Sequence, residues 1–383
     1  MPFEYQYITT AIERDAAIKE LSQVSEMSVD IEGDSLYHYN ERVALIQISG
    51  GERHYIFDPL VLDSVLELGP LFANRAILKI FHGSDYDITS LKRDYGFTIG
   101  PIFDTALAAR ATGMIRYSLK ELVLKYFQVS LCKEHQKSDW SVRPLSKEQL
   151  DYASEDTAYL SPLRTLLIDE VSKRGRKDQL EEEFEFMENI TWTRKPFNPD
   201  DYLRIKGSTA LPFEGQQILK ELVSVRDRLA REKDLPPFKV AHSGDIVRLA
   251  IERPMDEAAF TLIFPKGRIS KDKSCWLDAI KKGVICTEPL AKKERKVGGN
   301  PPMTRYQQKL FVNLRIWRDK QAEAEGVEPA MILTTPLLQE VCKKRPRTIA
   351  ALESIVPLRK WQINHYGEQL IKEVTTFSAS LSQ

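Results

Sequence analysis

The sequence lacks the features of secreted, membrane-spanning and zinc-stabilised proteins. Its four cysteines are widely spaced and form no C-x-x-C pair: Cys132, Cys275, Cys286 and Cys342. This usage argues against a disulfide framework or a structural zinc site and is typical of the reducing cytoplasm. No apolar run approaches the roughly 20 residues that span a bilayer. The amino terminus has no basic start and no apolar signal segment. We therefore expect a cytoplasmic protein with no membrane partner.

A glycine-rich phosphate loop and a net charge are also missing. Neither GxxxxGKS nor GxxxxGKT occurs, which favours hydrolysis over nucleotide-driven transfer. The 55 basic residues equal the 55 acidic residues in number, but the two kinds are unevenly distributed along the chain. Residues 1–170 hold 17 basic and 26 acidic residues. An acidic part could hold cations and a basic part a polyanion, although such asymmetry between domains also occurs without any function.

Residues 1–171 alternate between strand and helix patterns. Runs of apolar and β-branched residues predict strands at 25–32, 42–49, 53–58, 76–81 and 101–103, with a hairpin at Gly50-Gly51. Helices are predicted at about 84–95 and 105–112. Strands interleaved with helices indicate an α/β domain with a mixed sheet.

Two capping boxes predict the start of two further helices in this part of the chain. Ser118 pairs with Glu121, and Ser146 pairs with Gln149. The second helix should continue to about Val171. Residues 172–204 then read as a helix with an acidic face followed by a linker.

The remaining sequence is helical and contains an internal repeat. Five residues recur at one offset of 92 positions. The matching pairs are Leu222 and Leu314, Arg226 and Arg318, Asp227 and Asp319, Ala230 and Ala322, and Pro237 and Pro329. The alternative is that two unrelated amphipathic helices share a pattern. A common offset favours two copies of a small helical domain, at 205–290 and 295–383.

Acidic residues in three segments are candidates for a metal site. Asp30 and Glu32 lie two apart in a predicted strand, so their side chains share one face and repel each other unless a cation lies between them. The alternative is an edge strand with a solvated face. Tyr152 and Asp156 lie four apart on a predicted helix and also share a face.

Two further aspartates begin helices. Asp87 falls in the first turn of a predicted helix, where an acid favours the helix dipole even without a metal. Asp104 precedes Thr105 and is predicted to be an N-cap rather than a ligand. Considered alone, Asp87 is also better explained as a helix-start acid.

Taken in order, these segments resemble ribonuclease D, in the tyrosine subclass of the DEDD exonuclease superfamily. The matching motifs are Asp30-Ile31-Glu32, His82 through Asp87, Asp104-Thr105, the stretch 139–145 that contains Arg143, and Tyr152 through Asp156. The helical repeats resemble the helicase-and-RNase-D C-terminal (HRDC) domain. The resemblance covers nearly the whole chain and implies an RNase H-like exonuclease domain at 1–171, a helix and linker at 172–204, and two HRDC-like domains.

The resemblance also implies the chemistry. The four metal-binding acids of the family carry over to Asp30, Glu32, Asp87 and Asp156, and its water-positioning tyrosine to Tyr152. Two Mg²⁺ or Mn²⁺ ions would support hydrolysis that releases nucleoside 5′-monophosphates from the 3′ end of RNA. The family's usual substrates are transfer RNA precursors and other structured RNA with a single-stranded 3′ end.

Two alternative functions remain at this point, a DNA 3′–5′ exonuclease and an inactive nucleic-acid-binding scaffold. The chain has no helicase motif of the kind fused to such DNA exonucleases, and all five chemical positions are filled. We expect a monomer that contacts RNA through basic side chains. The alternative is that these basic side chains only form solvated surfaces. The candidate RNA contacts are His82, Arg143, Lys292, Lys293, Arg295, Lys343, Lys344 and Arg345.

Overall fold

The computed structural model describes residues 3–131, 134–290, 303–355 and 358–380. These residues form two compact units. The first comprises the described residues of Met1–Glu32, Val43–Trp192 and Pro301–Gln383, and the second those of Gly33–Arg42 and Thr193–Asn300. No helix among them is long and apolar enough to cross a membrane. The domain boundaries given above stay predictions.

The first unit contains a six-stranded mixed sheet. Its strands are β1 (Tyr5–Ile8), β2 (Glu26–Gly33), β3 (Val43–Gly50), β4 (Arg53–Phe57), β5 (Leu78–Phe81) and β6 (Ile102–Asp104). They lie in the order β1-β4-β3-β2-β5-β6. The pair β3–β4 is antiparallel, whereas β1–β4, β2–β5 and β5–β6 are parallel. The predicted mixed sheet and the hairpin at Gly50-Gly51 are confirmed.

Eight helices accompany this sheet in the described part of residues 1–192. They are α1 (Ala11–Leu21), α2 (Gly69–Ala73), α3 (Asp85–Tyr95), α4 (Thr105–Ala111), α5 (Leu119–Phe127), α6 (Lys147–Ala158), α7 (Leu160–Lys173) and α8 (Lys177–Glu188). Both predicted capping boxes are present, at the starts of α5 and α6.

The single helix predicted from Ser146 to about Val171 is wrong. The structure has α6 and α7 instead, which meet at Tyr159. Pro162 explains the interruption, because its ring nitrogen has no hydrogen to donate to the Ala158 carbonyl and its ring crowds that turn. The strand β1 and the helix α1 were not predicted.

Two helical repeats follow among the described residues after position 212. The first contains α9 (Phe213–Glu232), α10 (Pro237–Val240), α11 (Ser243–Glu252), α12 (Glu257–Ile263) and α13 (Lys273–Ile285). The second contains α14 (Arg305–Glu325), α15 (Pro329–Ile332), α16 (Thr335–Lys344), α17 (Ile349–Glu353) and α18 (Lys360–Ser380). The first four helices of each repeat begin 92 residues apart, which confirms the internal repeat.

The second repeat packs against the sheet domain inside the first unit. Met331 on α15 belongs to the same buried apolar cluster as the sheet. Glu325, at the end of α14, forms an ion pair with Arg176. Glu182 on α8 accepts hydrogen bonds from the backbone amides of Lys360 and Trp361 at 2.7 and 2.8 Å. The carboxyl-terminal repeat, which also has a core of its own, therefore packs directly on the sheet domain.

The first repeat belongs to the second unit, together with the loop Gly33–Arg42. Tyr39 in this loop donates a 2.7 Å hydrogen bond to Asp227 on α9. The backbone amide of Tyr39 donates to Asp234, which also lies 2.7 Å from the Nδ1 atom of His38. The loop that directly follows the Asp30–Glu32 strand is thus fixed to the first repeat.

Candidate metal centre

The strand β2 carries the first two acids of the site. It lies between β3 and β5, so it is a central strand and not the solvated edge strand that was the alternative reading. Val29 and Ile31 are buried on one face, and Asp30 and Glu32 are half-buried on the other. The alternation of a pleated strand therefore places two carboxylates side by side.

Asp87 reaches this strand from the first turn of α3. Its side chain is 7% exposed, and its Oδ1 atom accepts a hydrogen bond from the Ile31 backbone amide at 3.2 Å. Asp104 fixes the start of α3, because its carboxylate accepts from the Gly83 and Ser84 amides at 3.1 and 2.7 Å. Asp104 also caps α4, as predicted.

Tyr152 and Asp156 project from α6 towards the same point. One carboxylate oxygen from each of Asp30, Glu32 and Asp156 lies within 4.8 Å of the others. Tyr152 lies one helical turn before Asp156, whose charge helps to raise the pKa of the phenol. Its ring lies 6.0 Å from that of Trp140, centroid to centroid, and Trp140 is buried. This packing holds the phenol in place beside the carboxylates.

Burial strongly opposes charge on these acids. It raises the pKa of Asp30 to about 7. Burial, followed by the charges of neighbouring carboxylates, raises the pKa of Glu32, Asp87 and Asp156 well above the usual values. Carboxylates this close cannot all be ionised without positive charge between them. Hard oxygen ligands of this kind suit Mg²⁺ and Mn²⁺, so the donor set fits divalent metal ions.

All five residues line one cavity of about 290 Å³. His82 lines it too, and its Nδ1 atom lies 2.9 Å from the Thr105 hydroxyl. Because that hydroxyl donates to the Phe81 carbonyl, Nδ1 of His82 must be the donor to Thr105. Burial lowers the pKa of His82, so its imidazole is neutral at pH 7.

Comparison with known families agrees with this geometry. Residues 5–172 match the 3′–5′ exonuclease family, and residues 215–276 and 307–374 each match the HRDC domain. The chain carries a 3′–5′ exonuclease domain and two HRDC domains. The predicted relation to ribonuclease D is confirmed, and so is the predicted fold class.

Two curated relatives are similar to parts of the chain. The exosome complex component 10 homolog of Caenorhabditis elegans is 36% identical over 253 residues, which are 65% of this chain and 29% of that protein. Ribonuclease D of Desulfotalea psychrophila is 31% identical over 232 residues, which are 60% of this chain and 62% of that protein. The matches therefore span less than two thirds of either relative.

A solved structure shares the fold over almost the whole chain. Escherichia coli RNase D, described as an exoribonuclease involved in structured RNA processing, superposes with a TM-score of 0.69. The alignment covers 98% of this chain and 99% of that one at 21% identity. The exonuclease domain and both HRDC domains thus have counterparts in that structure.

The Arg143 guanidinium is held by hydrogen bonds inside the exonuclease domain. Its guanidinium donates to both carboxylate oxygens of Asp58, at 2.5 and 2.7 Å, and to the carbonyls of Trp140 and Ala44. Asp58 is fully buried. Arg143 does not line the cavity and instead ties the segment that contains Trp140 to the sheet.

The other basic candidates lie in or near the second HRDC domain. Lys343 pairs with Glu340 at 3.1 Å, and Lys344 donates to the Ser354 carbonyl at 3.1 Å. The Arg345 guanidinium lies 5.6 Å from the Tyr306 ring centroid. Lys292, Lys293 and Arg295 fall outside the described residues. A role of these side chains in RNA binding stays a prediction.

Sequence reasoning missed several residues that line the cavity. They are Tyr86, Ser118, Lys120 and Gln136. The sequence held one signal for Lys120. It lies in the first turn of the helix that Ser118 caps, where a positive charge is unfavourable to the helix dipole and so points to another role.

Proposed function

We propose that this chain is a metal-dependent 3′→5′ exoribonuclease that releases nucleoside 5′-monophosphates. The observation that carries the proposal is the convergence of Asp30, Glu32, Asp87 and Asp156 beside Tyr152 in one cavity of a 3′–5′ exonuclease domain. The name of one curated relative, ribonuclease D, supports RNA as the substrate.

The four carboxylates are the groups that would hold the metal ions. Two bound Mg²⁺ or Mn²⁺ ions would lower the pKa of a water and stabilise the leaving 3′-oxygen. Asp87 would be held towards them by its bond to the Ile31 amide, and Asp156 by its place on α6.

Tyr152 is the residue that we assign to the attacking water. Burial and the charge of Asp156 raise the pKa of this phenol, so it keeps its proton across the physiological range. The protonated phenol keeps lone pairs on its oxygen that can accept a hydrogen bond from water. The water would then be aimed at the terminal phosphorus, and the phenol would act by positioning rather than by proton transfer.

The natural substrate class is proposed to be structured RNA with a single-stranded 3′ end, including transfer RNA precursors. A terminal nucleotide must enter the cavity without a partner strand. We further propose that the protein acts as a cytoplasmic monomer.

Nucleotide release from RNA and DNA oligonucleotides of one sequence tests the proposal. The wild type should release 5′-monophosphates from the 3′ end of the RNA with Mg²⁺ or Mn²⁺ and stop when EDTA is added. Asp151→Asn is the matched control for Asp30→Asn, because Asp151 is an acid on α6 that pairs with Lys147 outside the metal centre.

Three other results of the nucleotide-release assay would contradict the proposed function. Faster release from DNA would make the protein a DNA exonuclease. RNA binding without release under any divalent metal would make it a scaffold. Release that persists in EDTA would contradict the metal-dependent mechanism.

A further inference from the structure

One lysine lies in the wall of the acidic cavity. Lys120 is the second residue of α5, and no other lysine or arginine lines the cavity among the residues that the structure describes. In the described ranges, no carboxylate pairs with its ammonium. The neighbouring Glu121 instead accepts a 2.8 Å hydrogen bond from the Ser118 hydroxyl in the capping box.

The position of Lys120 gives no benefit to the helix. The first turn of a helix carries a partial positive charge, so a lysine there is unfavourable by a few tenths of a kcal/mol to about 1 kcal/mol. The residue is half-buried in the cavity wall. Lys120 is therefore available to a negatively charged group that enters the cavity.

We infer that Lys120 binds a phosphate group of the RNA strand whose 3′ end enters this cavity. The inference rests on the proposed function and adds a substrate-binding residue to it. Four carboxylates and two divalent ions would cancel in charge, so the phosphodiester that enters carries the remaining negative charge. The Lys120 ammonium would neutralise that charge, because Lys120 is the one lysine or arginine side chain in the described lining of the cavity.

Equilibrium binding in Mg²⁺ tests the inference, with the Tyr152→Phe substitution present in every protein so that hydrolysis of the probe is slow. The probe is a short single-stranded oligoadenylate with a fluorescent 5′ end, titrated at several salt concentrations. Lys120→Gln should weaken binding by about 10- to 100-fold at low salt, as expected for one charge-assisted hydrogen bond. It should also reduce the log–log salt slope by about 0.7, the value for one phosphate contact on a single strand.

Lys125→Gln is the matched control. Lys125 lies on the same helix, is exposed, and places its ammonium 4.7 Å from the Tyr126 ring centroid, outside the cavity. This variant should keep wild-type affinity and salt slope. Lys120→Arg should also keep most of the affinity. The melting temperature of Lys120→Gln should equal or exceed that of the wild type, which separates lost binding from lost folding.

The kinetics give a second readout in Mg²⁺. Lys120→Gln should raise KM for the oligonucleotide with little change in kcat, since a ground-state contact is removed. Equal affinity and slope for Lys120→Gln and Lys125→Gln would overturn the inference while leaving the exonuclease assignment intact. A wild type that releases no nucleotide but still shows the Lys120-dependent binding would instead overturn the proposed function alone.

Discussion

The main chain at Gly113 meets the main chain at Gly326 so closely that a Cβ atom on residue 113 would lie 2.1 Å from the Gly326 carbonyl oxygen. Gly113 follows α4 in the exonuclease domain, and Gly326 ends α14 in the second HRDC domain. The two elements can approach this closely only because residue 113 has no side chain. The contact is one place where the second HRDC domain packs directly on the exonuclease domain.

Gly113→Ala should therefore destabilise the protein beyond the cost of its backbone strain. Gly113 has a φ angle of 83°, in the left-handed region that alanine adopts only with strain. The matched control is Gly175→Ala, with a φ of 64° and open space around its Cβ position. Forcing an atom into a packed contact costs about 1–3 kcal/mol. Thermal denaturation should show the larger loss for Gly113→Ala, and equal losses would mean that the contact is unimportant for stability.

Asp30→Asn should abolish RNA hydrolysis but leave the metal-free protein at least as stable as the wild type. The substitution removes a metal ligand and also removes one of the repelling buried carboxylates. Activity assays and calorimetry on purified protein check both parts. Retained activity in the variant would show that Asp30 is not a metal ligand.

The metal-free protein should lose stability as pH rises. Burial raises the folded-state pKa of Asp30 to about 7, above its value near 3.9 in an unfolded chain. A raised acid pKa contributes stability that is full below pH 4 and lost as pH rises through about 7. Melting temperatures in EDTA should fall over this range, and Mn²⁺ should restore more stability at pH 8 than at pH 5. Asp30→Asn should show a shallower fall than Asp151→Asn, and identical profiles for the two variants would refute this explanation.

Tyr152→Phe should slow turnover by about 10²–10⁴-fold, the range for a positioned group that assists proton movement. Mn²⁺ affinity should stay close to wild type, because the candidate ligands are the carboxylates and not the phenol. Calorimetric titration with Mn²⁺ separates the two effects. A large drop in affinity would mean that Tyr152 acts by holding Asp156 in place.

Much of the candidate site could be predicted from short-range patterns in the sequence. The alternation around Asp30 and Glu32 and the N-cap at Asp104 depend on neighbouring residues, and each has the predicted structure. The break at Tyr159 was also local, but its cause was the overlooked proline at position 162.

Features that depend on distant contacts could not be read from the sequence. The strand β1 was missed because its hydrogen-bonding partner β4 lies about 50 residues away. The ion pair of Arg143 with the buried Asp58 was not predicted, because the two residues are 85 positions apart in the sequence. The docking of the second HRDC domain depends on residues such as Met331, whose burial in the sheet cluster has no local pattern.

Anomalous scattering from Mn²⁺ in crystals of the wild-type protein tests the central claim most directly. The account predicts two manganese peaks in the cavity, bounded by the carboxylates of Asp30, Glu32, Asp87 and Asp156, with Tyr152 beside them but not coordinating. The Asp30→Asn protein should lose at least one peak under the same conditions. Manganese bound elsewhere, or absent from these carboxylates at concentrations that support nucleotide release, would contradict the account.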